Sequence, residues 1–375
     1  MRTVLAENRG VLKHTYVPLK LPHRTEMVNE ITGLLGSPSP PNLFITGPKG
    51  SGKTATVKRV KDTIQKRAKD TSIAYVLATE GAYTTLNSLA RECGIDLKKR
   101  GFSLKENWDE FESKLKDSPA IFFLDEVDLM LKKEGEMLLY YLSQRPNTCI
   151  VGISNRDRVL SLIRDDRIIS RLGPRSMYFP RYDANQLEDI LRDRVDLAKL
   201  KVDKSGGIAG LCAGLAFGKG ERHKGDARYA LELLDLAVDV AERAGAPRVK
   251  EEHVRIAEEE VETKKVQRAL MDMEPKEKIL MLHVIASYPE PQPTSVVYHL
   301  TNELAEKSEG RYNTYSSRML YAWLRDLEDS GYVCVERGKP EPGHGRGGST
   351  WMVWLSGDLN SATLTSMIKE VIERR

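Results

Sequence analysis

The segment NLFITGPKGSGKTATVKRV, from Asn42 to Val60, restricts the fold of this chain more than any other part of the sequence. Its apolar beginning predicts a buried strand, its middle is a loop of glycine and lysine, and its end has the apolar spacing of a helix. Glycines allow such a loop to turn its amide groups inward around phosphate oxygens, and the following helix adds a partial positive charge. The segment therefore predicts a triphosphate-binding site on a sheet packed against helices.

The loop fits the phosphate-binding pattern GxxxxGK(S/T) at every position. In this pattern Lys53 reaches the β- and γ-phosphates, and the Thr54 hydroxyl binds Mg²⁺. A glycine loop that caps a helix can match by chance, but here a strand precedes the loop and a helix follows it. The predicted nucleotide contacts from the loop are Gly47, Pro48, Lys49, Gly50, Ser51, Gly52, Lys53 and Thr54.

Two further apolar segments, AIFFLDEVDLM and TCIVGISNRDRV, end in polar residues that suit the same site. Asp125 and Glu126 follow a run typical of a strand that is covered on both faces in a parallel sheet. We expect Asp125 to hold Mg²⁺ through water and Glu126 to act as the general base on the attacking water. Capping of the next helix is the alternative, and it suits Asp128 better. Asn155 follows the next strand as a sensor of the γ-phosphate, although such an asparagine alone is more often a turn residue.

Composition limits the class of protein. A chain of 375 residues predicts two or three domains, and a net charge of +4 permits nucleic acid as a partner without requiring it. The four cysteines form no CxxC pair, which indicates reduced thiols rather than a disulfide framework or a zinc site. The N-terminus lacks the apolar stretch of a signal peptide, and apolar runs such as AIFFL are too short to span a bilayer. We expect a cytoplasmic, nucleoid-associated protein without a membrane partner.

The order of these motifs matches the AAA+ class of oligomeric ATPases. The resemblance implies an arginine that reaches the γ-phosphate of a neighbouring subunit, which we assign to Arg167 with Arg171 as the competitor. It also implies a second sensor at the start of a lid helix, and Arg228 in KGDARYALELLDLAVDVAERA occupies that place. A solvated or salt-bridged helix residue is the alternative for Arg228.

More specific strings resemble the archaeal replication initiators, homologues of the largest subunit of the eukaryotic origin recognition complex and of the cell-division-cycle helicase-loading factor. YVPLKLPHRTEMVNEITGLL resembles the entry segment of that family, which lies against adenine, so Leu21, Pro22 and Arg24 become expected nucleotide contacts. VGISN and GDARYALELLDLAVDVAERAG resemble its first-sensor strand and lid helix. The sequence departs from the family pattern at Arg156, where an aspartate is usual. The resemblance implies ATP or ADP with Mg²⁺ as cofactors.

Two regions are expected to contact DNA. Lys98, Lys99 and Arg100 form a basic cluster where the family inserts a DNA-contacting element, with a solvated charged face as the alternative. After residue 272 the pattern predicts three helices and a two-stranded wing, a winged helix-turn-helix whose third helix enters the major groove. Such domains also serve as protein-docking modules. The expected contacts from the third helix and the wing are Tyr315, Ser316, Ser317, Arg318, Tyr321, Arg337, Lys339, His344 and Arg346.

We therefore predict an α/β fold: an AAA+ P-loop parallel sheet over residues 1–180, a helical lid domain over 181–272, and an α+β winged-helix domain over 273–375. The predicted function is an ATP-regulated, DNA-binding replication initiator with slow ATPase activity. It would recognise origin repeats in double-stranded DNA, self-associate there and help load the replicative helicase. The alternatives are a transcriptional regulator with an AAA+ switch, or a helicase loader whose winged helix docks protein.

Overall fold

The structure is a computed structural model that describes residues 4–97, 102–133, 135–203, 207–218, 224–288, 290–337, 351–356 and 361–374. The chain divides into two compact units, Met1–Glu258 and Glu259–Arg375, which are described one at a time. A membrane-spanning helix is absent from the described part of the chain.

The first unit is built on five parallel strands in the order β2-β3-β4-β1-β5. Successive side chains of a strand point to opposite faces, so Ile121 and Phe123 join the core on one face and Phe122 joins the core on the other. Helices cover both cores, and the whole of β3 is buried, as its sequence predicts. The strands are β1 (Leu43–Thr46), β2 (Ser72–Leu77), β3 (Ala120–Asp125), β4 (Thr148–Ile153) and β5 (Arg175–Tyr178).

The helices of this unit fall into a group around the sheet and a group after it, which forms the lid. Those around the sheet are α1 (Thr25–Leu35), α2 (Lys53–Arg67), α3 (Ala82–Glu92), α4 (Leu104–Leu115), α5 (Val127–Lys132), α6 (Glu136–Gln144) and α7 (Asp166–Leu172), with 3₁₀ turns at Arg9–Leu12 and Val159–Leu162. Those of the lid are α8 (Ala184–Ala198), α9 (Ile208–Gly218), α10 (Ala227–Arg243) and α11 (Glu251–Met271), the last of which runs past the boundary of the unit.

The strand order brings the polar motifs to one edge of the sheet. β3, β4 and β1 are neighbours, and because they are parallel their carboxyl ends meet at the same edge. The phosphate loop follows β1, Asp125 ends β3, and Asn155 lies two residues beyond β4. Elements far apart in the chain thus form one candidate site.

The second unit has the predicted winged-helix fold. Lys278 on its first helix forms an ion pair with Asp326 on its third, with Nζ and Oδ2 2.7 Å apart. Beyond the prediction, a short strand β6 (Gln292–Pro293) joins the sheet in the order β6-β8-β7, and a further helix packs on the core. The other elements are α12 (Glu277–Ala286), α13 (Thr294–Glu306), α14 (Ser317–Asp329), β7 (Val333–Arg337), β8 (Trp351–Leu355) and the further helix α15 (Ser361–Arg374).

Candidate functional site

The phosphate loop needs its glycines because other chain segments press against it. Gly50 has a φ of +73°, and a β-carbon there would lie 1.8 Å from Oδ1 of Asp226, the residue that caps α10. Gly47 has a φ of +142°, and its β-carbon would lie 2.3 Å from the Phe179 carbonyl oxygen. The loop therefore contacts both the residue that follows β5 and the residue that caps α10.

Lys53 lies at the centre of the site and is 5% exposed. Its Nζ donates hydrogen bonds to the carbonyl oxygens of Gly47 (2.7 Å) and Pro48 (2.8 Å) and to Oδ1 of Asn155 (3.0 Å). Burial, and next the positive charge of Arg228, lower the pKa of Lys53 to about 8. Burial destabilises the charged form of Lys53, and a bound phosphate could stabilise it by replacing the oxygen acceptors that now contact Nζ. The position is therefore suited to an anionic ligand.

The predicted metal ligands contact each other. The Thr54 hydroxyl donates to Oδ2 of Asp125 at 2.9 Å, and the Tyr75 hydroxyl donates to the same oxygen at 2.5 Å. Burial, and next the Asp125 carboxylate, raise the pKa of Tyr75 well above its ordinary value, so the phenol remains a donor. Glu126 follows with φ +56° and ψ +37°, a left-handed conformation that few non-glycine residues adopt.

Asp128 holds in place the loop that follows β4 and contains Asn155. The Ser154 hydroxyl donates to Oδ1 of the buried Asp128 at 2.8 Å, and Arg156 Nε lies 3.8 Å from Oδ2 of the same carboxylate. Asp128 thereby fixes the backbone just before Asn155, whose Oδ1 accepts from Lys53. Sequence reasoning missed the roles of Asp128 and Tyr75, because each depends on a partner that lies far away in the sequence.

A cavity of about 300 Å³ lies beside the loop. The predicted contacts Leu21, Pro22 and Arg228 line it, together with Gly50, Ser51, Gly52, Lys53 and Thr54. Gly47, Pro48 and Lys49 are absent from the lining, as are Asp125, Glu126 and Asn155. The lining that sequence reasoning missed consists of His14, Thr15, Tyr16, Val17, Pro18, Ala55, Lys58, Tyr182, Ile190, Asp193, Arg194, Ala227 and Leu231.

The expectation that Arg24 contacts the nucleotide stays a prediction, and the contacts of its buried side chain give it a further role. Arg24 is 4% exposed and absent from the cavity lining, and its guanidinium donates to the carbonyl oxygens of Ser51 (2.9 Å), His23 (3.0 Å) and Pro180 (2.7 Å). It also lies 4.0 Å from the ring centroid of Tyr182, and burial lowers its pKa from the ordinary value. Arg24 therefore ties the phosphate loop to the segment after β5 and acts as a positioning residue.

Arg228 occupies the first turn of α10, where it lines the cavity opposite the phosphate loop. Oδ1 of Asp226 caps this helix by accepting from the backbone N–H of Arg228 at 2.8 Å. The Ala227 N–H donates to the carbonyl oxygen of Gly50 at 3.3 Å. The start of the lid helix and the phosphate loop are therefore in direct contact.

Known proteins resemble this chain over nearly its whole length. A model of the Cdc6 AAA+ ATPase-type lid domain matches residues 188–259, and an AAA domain model matches residues 39–156. The ORC1-type DNA replication protein of Methanothermobacter thermautotrophicus is 36% identical over 373 residues, which cover 98% of each chain. The chain belongs to the ORC1-type DNA replication protein family. That of Pyrococcus abyssi is 33% identical and covers 80% of this chain and 76% of its own.

The fold of the ORC1-type family is also found in solved structures. The Aeropyrum pernix ORC1 protein, solved in complex with DNA, has a TM-score of 0.79, 28% identity and coverage of 98% of both chains. The predicted resemblance to archaeal replication initiators, the AAA+ fold with its lid and the winged helix are therefore confirmed.

In this ORC1-type chain the two candidates for the arginine that reaches the γ-phosphate of a neighbouring subunit, Arg167 and Arg171, are both exposed on α7. The side chain of Arg167 is 83% exposed, and its Nη2 lies 2.8 Å from Oδ2 of Asp165. Arg171 is exposed at the other end of α7, with its guanidinium 5.8 Å from the ring centroid of Tyr140. The geometry leaves both available to a second chain.

The third helix of the winged-helix fold, α14, presents an exposed stripe. Ser316, at the N-cap, and Ser317, Arg318 and Tyr321 are all exposed, as their prediction requires. Sequence reasoning missed Arg325, which is exposed at seven residues' spacing from Arg318 and so on the same face. We call Arg318, Tyr321 and Arg325 the α14 stripe.

Tyr315 does not belong to this stripe, which corrects the prediction. It precedes α14, is 6% exposed, and packs in the core with its ring centroid 4.6 Å from that of Trp323. On the wing, Arg337 is exposed and lies 5.4 Å from the ring centroid of Trp351. The remaining predicted DNA contacts, Lys98, Lys99, Arg100, Lys339, His344 and Arg346, lie outside the described residues.

Proposed function

We propose that this chain is an ATP-regulated, DNA-binding replication initiator that marks origin DNA. The observation that carries the proposal is the match to an ORC1-type DNA replication protein over 98% of both chains. The nucleotide cavity and the winged helix fall within that match. Family membership supports the initiator and does not support the two alternatives, a transcriptional regulator and a loader without DNA recognition.

The residues at the cavity fit a nucleoside triphosphate with Mg²⁺. In the loop before Lys53, Gly47 and Gly50 leave no room for a β-carbon. Thr54 and Asp125 offer the hard oxygen ligands that Mg²⁺ prefers. Lys53 would bind the β- and γ-phosphates, while Leu21 and Pro22 would lie along the nucleobase side. When bound, the metal would neutralise phosphate charge. Glu126 would orient and deprotonate the attacking water, with Asn155 holding the amide contact to the γ-phosphate.

The nucleotide would act as a switch through Arg228. Because the start of α10 contacts Gly50 and Arg228 lines the cavity, an anion bound there would contact both the lid helix and the phosphate loop. ATP and ADP would then favour different angles between the base and the lid. We propose slow hydrolysis for this reason, with Arg167 of a neighbouring copy supplying the missing charge and Arg171 as the competitor. Transmission to the winged helix would pass along α11.

DNA binding is assigned to the winged helix. The α14 stripe and Arg337 provide exposed cations and an aromatic ring on the third helix and the wing, the parts of this fold that enter DNA grooves. The Aeropyrum pernix ORC1 relative was solved in complex with DNA. Lys98–Arg100 and the wing tip are further candidate contacts. Self-association on DNA and the replicative helicase as a partner complete the proposal.

The test is recovery of sheared host genomic DNA by the purified full-length protein, in ATP and in ADP, followed by sequencing. We expect enrichment at one or a few loci with repeated elements beside a replication start, and a difference between the two nucleotides. Enrichment at promoters would favour the regulator. A flat profile would contradict origin recognition and leave an ATPase whose winged helix docks protein.

A further inference from the structure

One wall of the nucleotide cavity has no regular structure to hold it. This wall is residues 14–18, which we call the entry wall, and all five of its residues line the cavity. It lies outside every described helix and strand, so no backbone ladder fixes its position. The local bonds of its turn, such as that from Tyr16 N–H to the Lys13 carbonyl oxygen, do not attach it to the rest of the fold. A contact from another part of the chain must therefore hold the entry wall in place.

A buried arginine on the lid provides that attachment. Arg194 of α8 is 5% exposed; its Nη1 donates to the Val11 carbonyl oxygen at 2.7 Å and its Nη2 to the Tyr16 carbonyl oxygen at 3.1 Å. The guanidinium also lies 5.1 Å from the ring centroid of Tyr16. One planar group thus joins Val11, in the 3₁₀ turn before the entry wall, to Tyr16 in the middle of the entry wall. Within the described ranges the hydrogen-bond partners of the Arg194 guanidinium are these carbonyl oxygens, while burial lowers its pKa and the charge of the neighbouring Asp193 partly offsets that lowering.

A second attachment points to the same helices. Arg9, just before this segment, lies 2.9 Å from Asp235, 2.8 Å from Asp239 and 3.1 Å from Glu242, all on α10. The N-terminal segment precedes the sheet in sequence, but these contacts attach it to two lid helices, α8 and α10. The phosphate loop, in contrast, follows β1 of the sheet. The two sides of the cavity therefore belong to different parts of the unit.

The two sides also differ in chemistry. Gly50–Thr54 present backbone amides and a cation. On the other side an aromatic ring and aliphatic groups, of the kind that pack against a nucleobase, lie beside the polar His14, Thr15 and Asp193; they come from Tyr16, Val17, Pro18, Ile190 and Leu231. We propose that Arg194 is a positioning residue for the nucleobase, which holds the entry wall on the lid so that the base-binding side of the cavity moves with Arg228. This inference rests on the nucleotide-binding function proposed above and adds how the base is held.

The experiment separates the nucleobase from the phosphates. Affinities of the nucleotide-stripped, full-length protein are measured by calorimetry for Mg²⁺-ATP and for Mg²⁺ with inorganic tripolyphosphate. Arg194→Met removes two hydrogen bonds from a charged group, so we expect ATP affinity to fall about tenfold or more, with tripolyphosphate affinity unchanged. Arg194→Lys should lie between the two, because a lysine is a point charge that cannot bridge both carbonyls. The matched control is Arg192→Met on the same helix, where the arginine is 67% exposed and pairs with Glu188.

Equal ATP affinity in wild-type and Arg194→Met proteins would overturn the inference. So would an equal loss of affinity for ATP and tripolyphosphate, because Arg194 would then act on the phosphate side or on folding. If the methionine variant does not fold, the lysine variant, which keeps the buried charge, is judged by the same comparison. A wild-type protein that bound neither probe would instead refute the proposed function itself.

Discussion

In the first unit the residues of the candidate site hold one another, whereas in the second unit the residues of the candidate DNA face stand apart. Lys53, Asn155 and the loop carbonyls form one hydrogen-bonded set, and Asp125 accepts from both Thr54 and Tyr75. Arg318, Tyr321 and Arg325 are exposed on one helix, at spacings that bring their side chains to a common surface. The residues of the nucleotide site are held in position by their hydrogen bonds to one another, whereas the α14 stripe presents separate exposed charges and an aromatic ring to a binding partner.

This difference predicts how each region responds to substitution. Removal of one member of an interlocked set leaves its partners buried and unsatisfied, which costs more than the contact itself. Removal of one exposed cation from a DNA face removes roughly one phosphate contact, and such losses add up. Single substitutions should therefore have large and specific effects in the first unit and small, salt-dependent effects in the second.

The largest expected effect is on catalysis. Glu126→Gln keeps the shape of the side chain but removes the proposed general base, so we expect the ATP hydrolysis rate to fall by a factor of about 10²–10⁴. ATP affinity should stay near the wild-type value, because the substitution leaves the contacts of Lys53 and the contact between Thr54 and Asp125 intact. Phosphate release and calorimetry on the same preparation provide the measurement. A full hydrolysis rate in this variant would transfer the role of base to another residue.

Next in size is the loss of nucleotide affinity in Lys53→Ala. The substitution removes a buried cation and its proposed contacts to phosphates. We expect this to cost about 3 kcal/mol or more of binding free energy, which is about a hundredfold in ATP affinity. Lys66→Ala is the matched control, since Lys66 lies on α2, the helix that begins with Lys53, but is exposed and absent from the cavity lining. Tight ATP binding by Lys53→Ala, or equal losses in both variants, would refute the assignment of this site.

The second unit is expected to show smaller changes. Arg318→Ala and Arg325→Ala should each weaken DNA binding by about 1–3 kcal/mol if the side chain reads a base, or reduce the slope of log affinity against log salt by about one if it contacts phosphate. Nucleotide affinity should not change. Arg311→Ala, an exposed arginine before α14, is the control. Unchanged DNA binding in both stripe variants would exclude the α14 stripe as the recognition surface.

The same contrast explains what the sequence could predict. The phosphate loop, Asp125 and Asn155 were found because each follows an apolar strand, and parallel strands bring such ends to one edge. The contacts of Arg24 with Ser51 and Pro180 could not be found in this way, since they join residues that local patterns do not connect. Tyr75 and Asp128 were missed for the same reason.

On the DNA face the errors are of another kind. Helical spacing identifies which residues share a face only once the first residue of the helix is known. The prediction counted Tyr315 in the helix, but α14 begins at Ser317, and the chain before it turns the ring of Tyr315 inward against Trp323. The same boundary and spacing place Arg325 on the exposed face, where the prediction had stopped at Tyr321.

The smallest effect is a change in proton uptake, and it tests whether the first site is prepared for an anion. Burial, and next Arg228, lower the pKa of Lys53 to about 8, and bound phosphates would raise the pKa again. Above about pH 8 the free protein therefore holds fewer protons at Lys53 than the complex does, so binding takes up to one proton and affinity falls as pH rises. Near pH 6.5 Lys53 is already charged in both states and contributes no uptake.

Calorimetry in two buffers with different ionisation enthalpies gives the number of protons taken up on binding. The control is Lys53→Arg, whose guanidinium does not titrate in this range. Proton uptake that is the same at both pH values, or that persists in Lys53→Arg, would mean that Lys53 is charged before the nucleotide arrives and that the site carries its positive charge in advance.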